Sequence, residues 1–406
     1  MKMTRRNARL GAIAAAAGVA LLAAGCSTTS GEAPGAVATD VTTSDAHDAE
    51  GRVAISYEGG IALLDAKTLE VVDEFSTEDF TRLNPAGDGR HVVVTITAGF
   101  QLLDTVTPAL TDLVVPATAA GHVVRHAGNT VLFDDGTGVT TVLNTAALAE
   151  VGDALPEATT YTADSPHHGV SIVLTDGTLV TTVGDETSRS GAHALESHGD
   201  HWDEIASSDA CPGIHGEGTA ADEAVVFGCE DGALLYQDGA FEKFDAPDEF
   251  GRMGNAFVSE TSPIVVGDYK SDPDAEGYLL GSVALIDTEA KSFEVVELPE
   301  NVRYTFRDVV RGPNDLAYIL STDGSIHVLD PATGDIVDEF PVIDPWAGPV
   351  DWQDAHPAIV ANGETAYVTE PATNTVHAVD LTTGKIAASV ALDQVPNEIA
   401  VTLGAH

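Results

Sequence analysis

From Gly51 onward, apolar and polar residues alternate in short bursts, and no stretch after Asp45 carries the 3.6-residue spacing of an amphipathic helix. The first burst, Arg52-Val53-Ala54-Ile55-Ser56-Tyr57 followed by Gly59-Gly60-Ile61-Ala62-Leu63-Leu64-Asp65, reads as strand, tight turn, strand. The unit starts again near Val92, Val131, Ser171, Ala224, Ile264, Leu316 and Ala366, at intervals of 39, 39, 40, 53, 40, 52 and 50 residues. Most starts are followed by a glycine turn such as Asp135-Gly136, Asp176-Gly177, Asp231-Gly232 or Asp323-Gly324. That is hairpin chemistry, because glycine reaches the backbone angles of a tight turn without steric cost. Repeats of about 40–50 residues holding several short strands indicate a β-propeller. The pattern therefore predicts an all-β fold, a single propeller over residues 47–406 with four-stranded antiparallel blades. Eight blades follow from the starts, and seven if one unit is degenerate.

Composition agrees and removes other classes. The chain of 406 residues is 44% apolar but only 6% aromatic, so its core must rest on Val, Ile, Leu and Ala. Its 18 Lys+Arg stand against 64 Asp+Glu, a net charge of −46. Such a surface repels a phosphate backbone, which excludes nucleic-acid binding, and it concentrates divalent cations.

The N-terminus reads as an address. Lys2, Arg5, Arg6 and Arg9 precede an apolar run from Leu10 to Ala24 that is short for a membrane span. Leu22-Ala23-Ala24-Gly25-Cys26 resembles a bacterial lipobox, with Cys26 as the lipidated residue. Residues 1–25 are then a lipoprotein signal peptide and 26–46 a flexible Ser/Thr/Gly/Ala tether. The expected product is exported and anchored by lipid on the outer face of the bacterial cytoplasmic membrane, at the cell surface or in the periplasm. Losing the leader removes four positive and no negative charges, leaving a net charge of −50. With Cys26 lipidated, Cys211 and Cys229 remain, and in an oxidising compartment a disulfide is favoured over a thiolate metal pair.

Histidine carries the chemistry. A propeller gathers on one face the connections that lead into its innermost strands, so residues distant in sequence meet there. His122, His167 or His168, His215 and His356 all precede strand starts, which predicts a metal site at the channel mouth from some three of them. The segment Gly191-Ala192-His193-Ala194-Leu195-Glu196-Ser197-His198-Gly199-Asp200-His201-Trp202-Asp203-Glu204 is the richest connection. His193, His198, Asp200 and His201 suit a borderline cation that takes imidazole and carboxylate ligands; otherwise the segment is a solvated acidic loop. It is expected to be mobile and to lead directly into His215, close enough to pass an ion on. Asp272-Pro273-Asp274-Ala275-Glu276-Gly277 imitates a calcium loop only loosely and reads as an exposed loop.

The segments Arg82-Leu83-Asn84-Pro85-Ala86-Gly87-Asp88-Gly89-Arg90-His91, Pro166-His167-His168-Gly169-Val170, His198-Gly199-Asp200-His201 and Cys211-Pro212-Gly213-Ile214-His215-Gly216-Glu217 resemble the AztD family of periplasmic zinc metallochaperones. The resemblance covers nearly the whole mature domain. It implies a β-propeller that binds Zn2+ and passes it to the solute-binding protein of a zinc ABC importer. It also implies that the His motifs hold the metal. The sequence departs from that family at Asp45-Ala46-His47-Asp48, where one His stands in place of a His-rich run.

No His-Glu-x-x-His, serine-nucleophile or phosphate-loop motif is present, so the sequence offers no catalytic residues and the expected protein is a monomeric carrier, not an enzyme. The competing readings are a lactonase- or quinoprotein-like propeller enzyme using a divalent metal, and a structural or adhesion propeller in which the histidines are incidental.

Overall fold

A computed structural model describes residues 51–403 apart from Asp200 and Glu276. The leader, the tether, Cys26 and Asp200 thus lie outside the described residues. Eight sheets make eight blades, each built on four antiparallel strands in sequence order. The first strands of blades 1 to 7 are Leu83–Pro85, Ala120–His126, Ser171–Val173, His215–Thr219, Ala256–Phe257, Val309–Arg311 and Ala358–Asn362. Blade 8 is shared between the two ends of the domain. Its first strand, Ile399–Thr402, pairs antiparallel with Arg52–Tyr57, Val401 lying opposite Val53, and this closes the ring. No helix among the described residues is long and apolar enough to cross a membrane.

At six of the eight junctions the first strands of successive blades touch one another, as strands around a common axis do, so they line the central channel. The fourth strands, such as Val71–Ser76 and Lys385–Ala391, are largely exposed and form the rim. This corrects the reading of the strand starts. Seven of the eight belong to second strands, and only Ser171 opens an innermost one. The true inner strands were hidden because they are short and poor in β-branched residues, as in Leu83-Asn84-Pro85 and His215-Gly216-Glu217-Gly218-Thr219.

Apolar burial lies between blades. Each of the eight interfaces holds its own cluster, for example Val226, Leu235, Val265 and Ile286 between blades 4 and 5. The interface between blades 3 and 4 is large and includes Val170, Ile172, Val225, Phe227 and Leu234 together with Cys211 and Cys229. Those two cysteines form a disulfide, as expected, across a sequence separation of 18. The interface between blades 2 and 3 is thin: its buried apolar members are Val131, Val173, Leu179 and Leu195. Hydroxyls fill the remainder, with Thr140 Oγ1 2.8 Å from Ser171 Oγ and Ser171 Oγ 2.7 Å from Thr181 Oγ1.

Strand alternation fixes two opposite faces. The connection into each first strand and the turn between second and third strands lie at one face, here called the upper face. The turns between first and second, and between third and fourth, lie at the lower face.

Candidate metal centre

Three of the expected histidines meet at the upper channel mouth, from three different blades. His122 sits near the start of the blade 2 inner strand, His168 in the connection into blade 3, and His215 at the start of the blade 4 inner strand. His168 Nε2 lies 3.3 Å from His122 Nε2 and 3.1 Å from His215 Nε2. Ring centroids are 4.9, 5.1 and 5.3 Å apart.

The opposite ring nitrogens set the tautomers. His215 Nδ1 is 2.5 Å from the carbonyl oxygen of Gly254, which can only accept, so Nδ1 carries the proton. His168 Nδ1 donates to Asp135 Oδ2 at 2.6 Å. With both rings neutral, the two Nε2 atoms present lone pairs that face each other across 3.1 Å. Between neutral rings that contact is repulsive unless a cation, a proton or a metal ion, lies between them. Carbonyl and carboxylate partners on the far nitrogen are also what orients a histidine for a metal. Burial and the neighbouring imidazoles hold His122 well below the usual histidine range, and burial lowers His215 to about 4. Both rings thus keep their lone pairs at neutral pH.

The backbone is shaped for this. Gly216 bulges the inner strand of blade 4 at φ +62, and a Cβ there would stand 2.4 Å from the Gly254 oxygen that fixes His215. Gly254 is itself held by the buried Asp268, whose Oδ1 accepts from the Gly254 and Asn255 N–H groups. Behind His215, the Cys211–Cys229 disulfide and the Glu230 N–H to Pro212 carbonyl bond of 2.8 Å fix the Pro212–Ile214 approach.

Asp135, the carboxylate behind His168, was read in the sequence only as a turn residue. The signal was its doubling. Asp134 performs the turn role, accepting from the Thr118, Ala119 and Gly136 N–H groups, and this leaves Asp135 free to reach the next blade.

The other candidates lie elsewhere. His167 points inward against Phe133 at 5.2 Å, its ring nitrogens engaged by the Ser165 carbonyl and Thr182 Oγ1. His356 is on the upper face, but its Nδ1 donates to the Asp354 carbonyl and its Nε2 accepts from Arg307 Nε at 3.1 Å. The segment holding His193, His198 and His201 is a β-hairpin of Arg189–Ser197 with Trp202–Ser208, not an irregular connection. Its turn joins third and fourth strands, so His198 and His201 are on the lower face, and the expected proximity to His215 does not hold. There His198 Nε2 and His201 Nε2 each lie 3.7 Å from Asp203 Oδ2, while His193 faces Glu204 at 3.5 Å. A further His–carboxylate group, Asp323, His327 and Glu339, clamps one ring from both sides at 3.0 and 3.8 Å. The same strand position in the next blade holds His377 between Glu370 and Ser389, which marks a repeat device that fastens turns.

Fold and site together define a β-propeller with a three-imidazole centre at its channel mouth. Zinc chaperone AztD of Citrobacter koseri is 24% identical over 335 residues, covering 77% of this chain and 74% of the relative. The resemblance read from the sequence segments is thereby supported over most of the domain. Two solved structures of AztD from the same organism, one of the apo protein, superpose with TM-score 0.69 at 21% and 20% identity, covering 86% of this chain and 97% of theirs. The dihydro-heme d1 dehydrogenase NirN shares the propeller more loosely, with TM-score 0.59 and 13% identity over 88% of this chain and 76% of its own. No protein-family model matches the chain.

Proposed function

We propose that this protein is an extracytoplasmic zinc chaperone that carries Zn2+ on His122, His168 and His215. The observation that carries the reading is the pair of opposed Nε2 lone pairs at 3.1 Å, fixed by Asp135 and the Gly254 carbonyl. Three imidazoles match the donor set of an accessible zinc centre with one coordination position left to an outside ligand. Similarity to a protein named as a zinc chaperone supports zinc as the cargo. His168 is the ligand a partner can reach, its side chain being 45% exposed at the open face. Stepwise exchange starting at His168 passes the ion on without a free intermediate, and the receiver in this reading is the solute-binding protein of a zinc ABC importer. Lipidation at Cys26, after removal of residues 1–25, would keep the carrier beside that importer. His198 and His201 of the hairpin are a separate lower-face group and take no part in this exchange.

The test is transfer from the zinc-loaded protein to the apo solute-binding protein in the presence of excess chelator. Faster arrival than the chelator-limited rate supports a chaperone. Arrival only at the spontaneous dissociation rate makes the protein a zinc store.

A further inference from the structure

Fixed positive charge stands beside a site for a dication. In a chain with a net charge of −46, the charged side chains acting most on His122 and His215, apart from the other imidazoles, are Arg82, Arg189 and Arg252. Arg189 lines a 470 Å³ cavity beside His168, together with Asp185, Glu186 and Glu230. Arg252 and Lys270 line a 230 Å³ cavity beside His215, with Asp268 turned to the Gly254 and Asn255 N–H groups, and the Arg252 and Lys270 backbones are bridged to each other. Among the described residues, the Arg189 side chain has no hydrogen-bond or ion-pair partner. The Arg252 guanidinium reaches only the Gly213 carbonyl at 3.4 Å and the half-exposed Glu230 at 3.9 Å. Glu230 and Asp135 are the carboxylates that act most on the Arg189 charge, Asp135 is committed to His168, and Asp185 is engaged by Thr187 and Ser188. Three neutral imidazoles leave Zn2+ with its full double charge, so these guanidiniums repel the loaded ion. Guanidinium forks also fit a carboxylate, which they grip through paired N–H donors.

We propose that a carboxylate from outside the chain is a co-ligand of this centre, one oxygen completing the zinc coordination and the group resting against Arg189 and Arg252. The inference rests on the three-histidine reading of the site. The carboxylate removes the repulsion that the arginines otherwise impose, so metal and anion bind together more tightly than either alone. Withdrawing the anion then loosens the metal, which gives a carrier a release step. The same chemistry can come from a small free carboxylate or from a glutamate or aspartate side chain of a docking protein.

Co2+ serves as the probe metal, because its visible bands report both binding and a change of ligand. The metal is titrated into the protein in carboxylate-free buffer, then with malonate, then with a blocked tripeptide carrying one glutamate. The expected result is an affinity gain of about tenfold or more with an accompanying band shift. A response to malonate points to a free small acid, and a response to the tripeptide alone points to a partner's side chain. In Arg189→Gln with Arg252→Gln, carboxylate-free affinity should be equal or higher and the gain should vanish. Insensitivity of the wild-type protein to both probes, or a double variant keeping the full gain, overturns the carboxylate site while leaving the trio intact. Cobalt bands that fail to form, or that survive His168→Ala unchanged, overturn the trio and this proposal with it.

Discussion

Two histidine positions on the upper face occupy the same place in the blade repeat and have come to opposite ends. His168 precedes the inner strand of blade 3, and His356 precedes that of blade 7. Each donates from Nδ1 to an oxygen, Asp135 for one and the Asp354 carbonyl for the other. The difference lies across the ring. At His356 the Nε2 lone pair accepts from Arg307, a buried guanidinium that also pairs with Glu398 at 3.2 Å and reaches Asn397 Oδ1 at 2.9 Å. At His168 the corresponding lone pair meets two more imidazoles. One position has its cation built into the chain, and the other is left for a cation from outside. A tautomer-fixing partner thus makes a histidine ready to accept, and what stands opposite decides whether it is structural or binding.

The largest expected effect breaks that contrast directly. His122→Ala or His215→Ala should lower zinc affinity by two or more orders of magnitude in a chelator competition, whereas His356→Ala should leave it within about twofold. Equal losses at all three positions would dissolve the distinction.

The converse substitution is next. Arg307→Ala removes one of two guanidiniums on the buried Glu398 and leaves it with Arg82 at 2.9 Å, so unfolding in urea should show a loss of about 1–3 kcal/mol with zinc affinity preserved. Asp135→Asn is milder. It keeps the shape behind His168 but no longer holds the Nδ1 proton firmly, and a 10–100-fold fall in zinc affinity is expected by calorimetry, without loss of fold.

A pH dependence distinguishes the arginine side further. Burial raises the Asp308 carboxyl to about 7, against the hydrogen bonds from Thr305 that favour its ionised form. A folded value above the unfolded one means that the native state binds the extra proton. Stability should therefore be fullest below about pH 4 and decline as pH rises toward 7. Asp308→Asn should flatten that part of a Tm-against-pH profile measured on the metal-free protein. The smallest effect is expected at the lower-face hairpin. His198→Ala with His201→Ala should change zinc affinity less than threefold, because Asp203 lies 3.7 Å from each ring and the trio is on the other face.

The blade count was legible because second and third strands, such as Val225–Cys229 and Ser282–Asp287, are runs of buried apolar residues closed by turns. The inner strands were not, since the channel asks for short polar segments in place of apolar alternation. That shift placed the histidines before second strands in the reading, when His122 and His215 are within inner ones. Convergence at the channel mouth survived the error, because both positions share the upper face. Choosing between His167 and His168 was beyond the sequence: adjacent residues point oppositely, and only Phe133 from blade 2 shows which one is buried. His356 was equally opaque, since Arg307 reaches it from another blade 49 positions away. The hairpin histidines were misplaced for a third reason. A polar His-rich segment resembles a loop, but its backbone pairs from Ala192 opposite Ser208 to Ser197 opposite Trp202.

The central claim is that His122, His168 and His215 together bind the metal. Diffraction from zinc-loaded crystals, recorded on both sides of the zinc absorption edge, tests it most directly. The account predicts one dominant anomalous peak about 2.0–2.1 Å from the Nε2 atoms of His168 and His215 and from a ring nitrogen of His122. A dominant peak at His198 and His201, or no peak between the three upper-face rings, would contradict it.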